Sequence, residues 1–220
     1  MRKKLSLLSN LFIAFMSVFA WLSMVLRRHS GMLMTAGWGS LKYFTVLSNL
    51  LNALVSLGYA AALLRVLLGR APGISWRLQC AKLSATAAVA LTFLVVAAFL
   101  GPLYGYPFMY QGANLWLHLC LPVLSMLEFA LLDGGPALSR RDGLWAGLPA
   151  LLYGAAYALN LALNGAGARP HSNDWYGFLN WGWGVGFAIF ALIVLASWLL
   201  GLLLRAANRR CAGSSAESIR

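Results

Sequence analysis

The sequence predicts an all-α membrane protein, a six-helix transmembrane bundle with both termini cytoplasmic. Three observations lead there: the composition, six long apolar stretches, and the placement of lysine and arginine. Of 220 residues, 61% are apolar and 10% charged. That balance leaves a water-soluble fold too little polar surface to cover itself. The formal net charge of +12 does not indicate a nucleic-acid partner, because the basic residues sit between apolar runs rather than on one patch.

The first stretch, Leu5 to Leu26, follows the basic start Met1-Arg2-Lys3-Lys4. It is longer than a signal-peptide core, lacks a convincing small-residue cleavage site and can cross a hydrocarbon layer of about 30 Å, so it is read as an uncleaved helix. Ser6, Asn10 and Ser17 mark its polar side. The second stretch, Leu41 to Leu68, carries Thr45, Ser48, Asn49, Asn52 and Ser56 at offsets of three or four, on one helical face. The third runs from Leu83 to Tyr104. The fourth, Ala113 to Leu132, carries Asn114, His118, Ser125 and Glu128, and the fifth, Leu144 to Asn164, carries Tyr153, Tyr157, Asn160 and Asn164. The sixth, Phe178 to Leu204, contains Gly182-x-x-x-Gly186, a spacing that serves helix association within or between chains.

Breaks such as Gly69 to Gly73, Gly101-Pro102, Gly134-Gly135-Pro136 and Gly165 to Pro170 supply turns, and no long linker divides the chain. Residues 1–204 are therefore expected to form one domain, followed by a short basic tail, 205–220, expected to be disordered. Thirteen lysines and arginines fall on the side of the termini, Lys82 among them, against Arg27, Arg28, Lys42 and Arg169 on the other. This asymmetry gives cytoplasmic termini. Aromatics such as Trp38, Tyr43, Tyr106, Trp116, Trp175, Tyr176 and Trp183 gather near the outer boundary as an interfacial belt. Cys80, Cys120 and Cys211 imply no disulfide framework.

Serine, threonine and asparagine inside a membrane ordinarily bond helices to one another. An intramembrane His118 and Glu128 on one face are less easily accounted for, since ionisable groups at depth are costly and tend to mark sites. The second and fourth stretches both start at the outer face. Thr45 lies about 6 Å and His118 about 7.5 Å below those starts. At matching depth, a hydroxyl and an imidazole are the minimum for nucleophilic catalysis, the imidazole taking the proton as the hydroxyl attacks. Ser48, one turn below Thr45, is the rival nucleophile. Asn49 and Asn114 are candidate amide donors, and Asp174, the one carboxylate on the outer side, is either an orienting group for His118 or a solvated loop residue.

Three segments, Leu41-Lys42-Tyr43-Phe44-Thr45-Val46-Leu47-Ser48-Asn49, Leu117-His118-Leu119-Cys120-Leu121-Pro122 and Trp175-Tyr176-Gly177-Phe178-Leu179, resemble androgen-induced-gene-type membrane proteins and their bacterial relatives. Their order and spacing along six helices agree over most of the chain. The resemblance implies an intramembrane threonine hydrolase that cleaves fatty acid esters of hydroxy fatty acids or similar lipid esters, with Thr45 as nucleophile and His118 as base. It implies a membrane lipid or fatty-acyl ester as partner, a bacterial cytoplasmic membrane as location and no cofactor. The chain departs from the family pattern at Gly177 and Asn180, where a proline and an acid are expected.

Other classes compete with this reading. His29, His118, His171 and Asp174 could together hold zinc, although no tight His-x-x-x-His spacing supports a metal. A transporter would use the polar faces as a path with Glu128 as proton relay. A non-catalytic scaffold would use the glycine spacing to hold partners. The oligomeric state is not encoded legibly.

Overall fold

The structure, a computed structural model, describes residues 1–26, 37–168 and 172–217, with side chains up to residue 211. Arg27, Arg28, His29, Arg169, His171 and Arg220 lie outside the described residues. Among those described there is no strand, and six helices are long and apolar enough to cross a membrane. They are α1 (Arg2–Val25), α2 (Phe44–Leu67), α3 (Trp76–Tyr104), α4 (Ala113–Leu132), α5 (Arg141–Asn164) and α6 (Phe178–Cys211). The chain is a multi-pass integral membrane protein. Large apolar side chains such as Phe15, Leu54, Leu152, Leu163 and Leu192 point outward, as lipid contact requires.

α3 is the hub. More than half of its apolar stretch is buried (56%), against 17% for α6. Its alanines, Ala85, Ala87, Ala88 and Ala90, let neighbouring backbones come close, which is how helices associate where lipid supplies no hydrophobic drive. One apolar cluster joins Leu83, Ala87 and Ala90 of α3 to Phe129 of α4, Ala146 of α5 and Leu204 of α6. A second, towards the opposite end, joins Ala20 and Met24 of α1, Val46 of α2 and Ala113, Leu117 and Leu121 of α4. α5 and α6 meet through glycines: a Cβ at Gly154 would overlap the Phe190 ring, and one at Gly201 would overlap Ala146. Gly186 rests against the Phe178 carbonyl, where a Cβ would lie 2.9 Å away, so this half of the Gly182-x-x-x-Gly186 pair is used inside the chain.

One expectation is corrected, and one element is longer than its apolar stretch. α6 continues as helix to Glu217. Arg205 Nε donates to the Leu138 carbonyl (3.0 Å) and Asn208 Nδ2 to the Phe129 carbonyl (2.8 Å), which fastens those turns to the bundle. Lys82 is not at a helix end. Ser75 caps α3, its hydroxyl accepting from the Leu78 N–H, so the helix starts at Trp76 and buries Lys82 completely.

α4 is not a uniform α-helix. It widens into π-turns at Trp116–Cys120 and Glu128–Leu132. Such turns are rare, occur mostly as single bulges and are frequent at functional sites. The first holds His118 and the second Glu128.

Candidate functional site

At the end of the bundle opposite the N-terminus, the connection from α3 to α4 folds back on itself. Gly105 (φ 92°) and Gly112 (φ 56°) take backbone conformations that side chains resist, and they bracket a short helix, Tyr106–Met109. Tyr106 donates to the Ala97 carbonyl (2.8 Å) and lies where a Cβ of Gly101 would be. This places the buried Met109 with its carbonyl 3.0 Å from His118 Nδ1. A carbonyl only accepts, so Nδ1 carries the hydrogen and Nε2 of the neutral ring is the basic nitrogen. His118 is 4% exposed, and Nε2 makes no hydrogen bond among the described residues.

Thr45 lies in the first turn of α2 and is half-buried. Its carbonyl accepts from Ser48 Oγ (3.1 Å) and Asn49 Nδ2 (2.8 Å), while its hydroxyl bonds to nothing among the described residues. No hydrogen bond joins it to His118. The link between the two helices is Asn49, whose Nδ2 also donates to the Leu117 carbonyl (3.0 Å), adjacent to His118 in α4. Ser48 is engaged elsewhere, 3.1 Å from Thr92 Oγ1. Asn114, one turn before His118, is fully buried with neither amide atom bonded.

Asp174 does not bond His118. One oxygen receives the Tyr157 hydroxyl and the Phe178 N–H (2.9 Å), the other the Leu179 N–H (2.9 Å). It holds the entry to α6 rather than standing in solvent. The same loop reaches α2: Tyr176 Oη accepts from the Phe44 N–H (2.9 Å), and Lys42 Nζ lies 5.3 Å from the Trp175 ring centre. The zinc grouping of His118 and Asp174 with His29 and His171 has two members outside the described residues, and no cluster fit for a metal occurs among those described.

The opposite end holds a polar cluster the sequence reading did not assemble. Lys82 Nζ lies 2.8 Å from a Glu128 oxygen, donates to Asn10 Oδ1 and sits 4.6 Å from the Tyr59 ring centre. The other Glu128 oxygen accepts from Ser6 Oγ (2.6 Å) and Asn10 Nδ2 (2.7 Å). Beside it, Asp133 receives the Tyr59 hydroxyl, Gln79 Nε2 (2.6 Å) and the Gly135 N–H (2.8 Å). Between the two ends runs a ladder that includes the bond from Asn52 Nδ2 to Ser125 Oγ (2.8 Å). The polar faces of α1, α2 and α4 therefore do turn to one another, with α3 closing the fourth side.

Lys82 and Asp133 were hidden for different reasons. Lys82 looked like a loop-flanking charge because the hydropathy run begins after it; Ser75, read as a cap, would have placed it two turns inside α3. Asp133 stands beside Gly134-Gly135-Pro136 and reads as a turn residue. No family model, curated protein or solved structure matches the chain.

Proposed function

We propose that this protein is an intramembrane hydrolase of lipid esters, with Thr45 as nucleophile and His118 as general base. The observation that carries the reading is the bond of His118 Nδ1 to the Met109 carbonyl, which leaves Nε2 as the proton acceptor of a buried, bonded imidazole. The meeting of the three family-like segments supports it: the first joins the second through Asn49 and Leu117, and the third through Phe44 and Tyr176.

In this reading Thr45 Oγ1 attacks the ester carbonyl as His118 Nε2 takes its proton. The tetrahedral oxyanion collapses, the imidazolium returns the proton to the departing alkoxide, and an acyl-threonine remains. Water then attacks the acyl group with His118 again as base, releasing the fatty acid and restoring the hydroxyl. Asn114 is the amide left unbonded near the site and is assigned to the oxyanion. Asn49 spends its amide on two carbonyls and is assigned to holding α2 against α4. With both termini cytoplasmic, as the charge asymmetry favours, the site lies beneath the outer leaflet of a bacterial cytoplasmic membrane, and no cofactor is needed.

Glu128, which a transporter would use as a proton carrier, accepts from Ser6 and Asn10 and is ion-paired with the buried Lys82. That engagement favours a holding role. The test is labelling of detergent-purified protein by a fluorophosphonate. Labelling lost in Thr45→Ala and His118→Ala but kept in Ser48→Ala supports the hydrolase; well-folded wild type that never labels argues against it.

A further inference from the structure

Where the N-terminus, the α4–α5 turn and the late turns of α6 converge, they border a half-open polar cavity of about 210 Å³. Its lining is Arg2, Asp133, Gly134, Gly135, Ala137, Asn208 and Arg209. It is separate from the Thr45 and His118 region, at the other end of the bundle, and the hydrolase reading makes no use of it.

Its depth is set by the helices. α1 begins at Arg2 and α4 ends at Leu132, so the cavity lies where the hydrocarbon gives way to headgroups. Its two guanidiniums differ in character. Arg2 is held in place, Nε donating to the Leu132 carbonyl (3.3 Å) and Nη2 to the Asp133 carbonyl (3.0 Å). Arg209 is exposed and has no ion pair among the described residues. A pre-oriented guanidinium with a second one lining the same cavity fits a tetrahedral anion with several oxygens better than a single carboxylate. Gly134 would meet nothing within 4 Å if it carried a Cβ, so the main chain there is open to close approach.

The acid in the lining does not oppose this. Its oxygens are drawn to Tyr59, Gln79 and Gly135, and the first two are fully buried, so the carboxyl is directed into the protein. Burial, with Glu128 next to it, also raises its pKa and thins its negative charge. Lys3, Lys4 and Arg210, all exposed close by in sequence, add to the positive field.

We propose that this cavity binds a phosphate group, carried by an anionic membrane lipid or presented as free phosphate. Arg2 and Arg209 clasp its oxygens, and the bound group ties the start of α1 to the projecting turns of α6.

The test is the melting temperature of the full chain in neutral detergent, titrated with short-chain phosphatidylglycerol, with diacylglycerol or with inorganic phosphate. A rise with phosphatidylglycerol and none with diacylglycerol, with apparent affinity about tenfold weaker in Arg209→Gln, identifies a lipid phosphate. A rise with inorganic phosphate that Arg209→Gln weakens equally identifies the free anion. Arg209 is the residue to replace because it bonds nothing among the described residues, whereas Arg2 also caps α4. No rise with either phosphate source, or an unchanged response in Arg209→Gln, overturns the proposal. Thr45→Ala binds as wild type does, since the two sites are independent.

Discussion

Lys82 and Glu128 face each other at 2.8 Å with both side chains fully shielded from solvent. The pair joins α3 to α4, and through Asn10 and Ser6 it also grips α1. Removing one partner strands a charge, so Lys82→Met or Glu128→Gln is expected to cost about 3–5 kcal/mol, while Lys82→Met with Glu128→Met should cost far less. Unfolding by a denaturing detergent, followed by circular dichroism, measures this. Equal losses in single and double variants would show that packing rather than charge pairing holds the cluster.

Asn114 separates function from stability. Its side chain is fully buried and bonds nothing among the described residues, so Asn114→Ala should leave the unfolding midpoint unchanged or raise it. If its amide meets the oxyanion, hydrolysis of a fatty acid ester by the same variant falls about 10²-fold or more. A variant that is both stable and fully active removes Asn114 from the mechanism.

His118→Ala is expected to lower ester hydrolysis by about 10²–10⁴-fold, the usual worth of a positioned base. Rates with a soluble chromogenic ester in detergent, normalised to folded protein, give the number. A loss under threefold would mean that Thr45 is activated by another group or not at all.

Asp133 lies just past the end of α4, and burial with Glu128 nearby holds its carboxyl above the ordinary range. The folded chain therefore keeps this proton more tightly than the unfolded one. The stability it contributes is complete below about pH 4, the unfolded value, and is lost as pH rises through the higher folded value. Midpoints measured from acid to neutral pH should decline in wild type, and the decline should flatten in Asp133→Asn. The same slope in both would assign the pH dependence elsewhere.

Gly154 has no room for a larger residue against Phe190. Gly154→Val is expected to destabilise the α5–α6 contact by about 1–3 kcal/mol, read as a lower melting temperature, and Phe190→Ala in the same chain should recover part of it. An undiminished melting temperature in the single variant would mean that the helices separate at no cost.

The six helices were legible because a membrane imposes length and apolarity, which a sequence displays without any knowledge of contacts. Thr45, Ser48, Asn49 and Asn52 shared a face as their spacing demanded. What escaped was partnership. Glu128 stood out as an acid in an apolar run, but Lys82, 46 positions earlier, carried the look of a topology signal. Tyr59, an aromatic of α2, takes its role from Asp133, which accepts from its hydroxyl. The π-turns around His118 and Glu128 left no mark in hydropathy, since widening a turn changes which backbone groups bond and not which residues are apolar. The carbonyl that engages His118 belongs to Met109, a main-chain contact set by the fold of a loop.

Arg2 and Asn208 meet on the last carbonyls of α4, the first at Leu132 and Asp133, the second at Phe129. A chain still being made can place Arg2 as soon as α4 is inserted, but the Phe129 oxygen must wait for a residue synthesised 79 positions later. Until α6 docks, an acceptor at the membrane border goes without its partner. The half-built protein thus carries its own sign of incompleteness, erased only when the final helix seats.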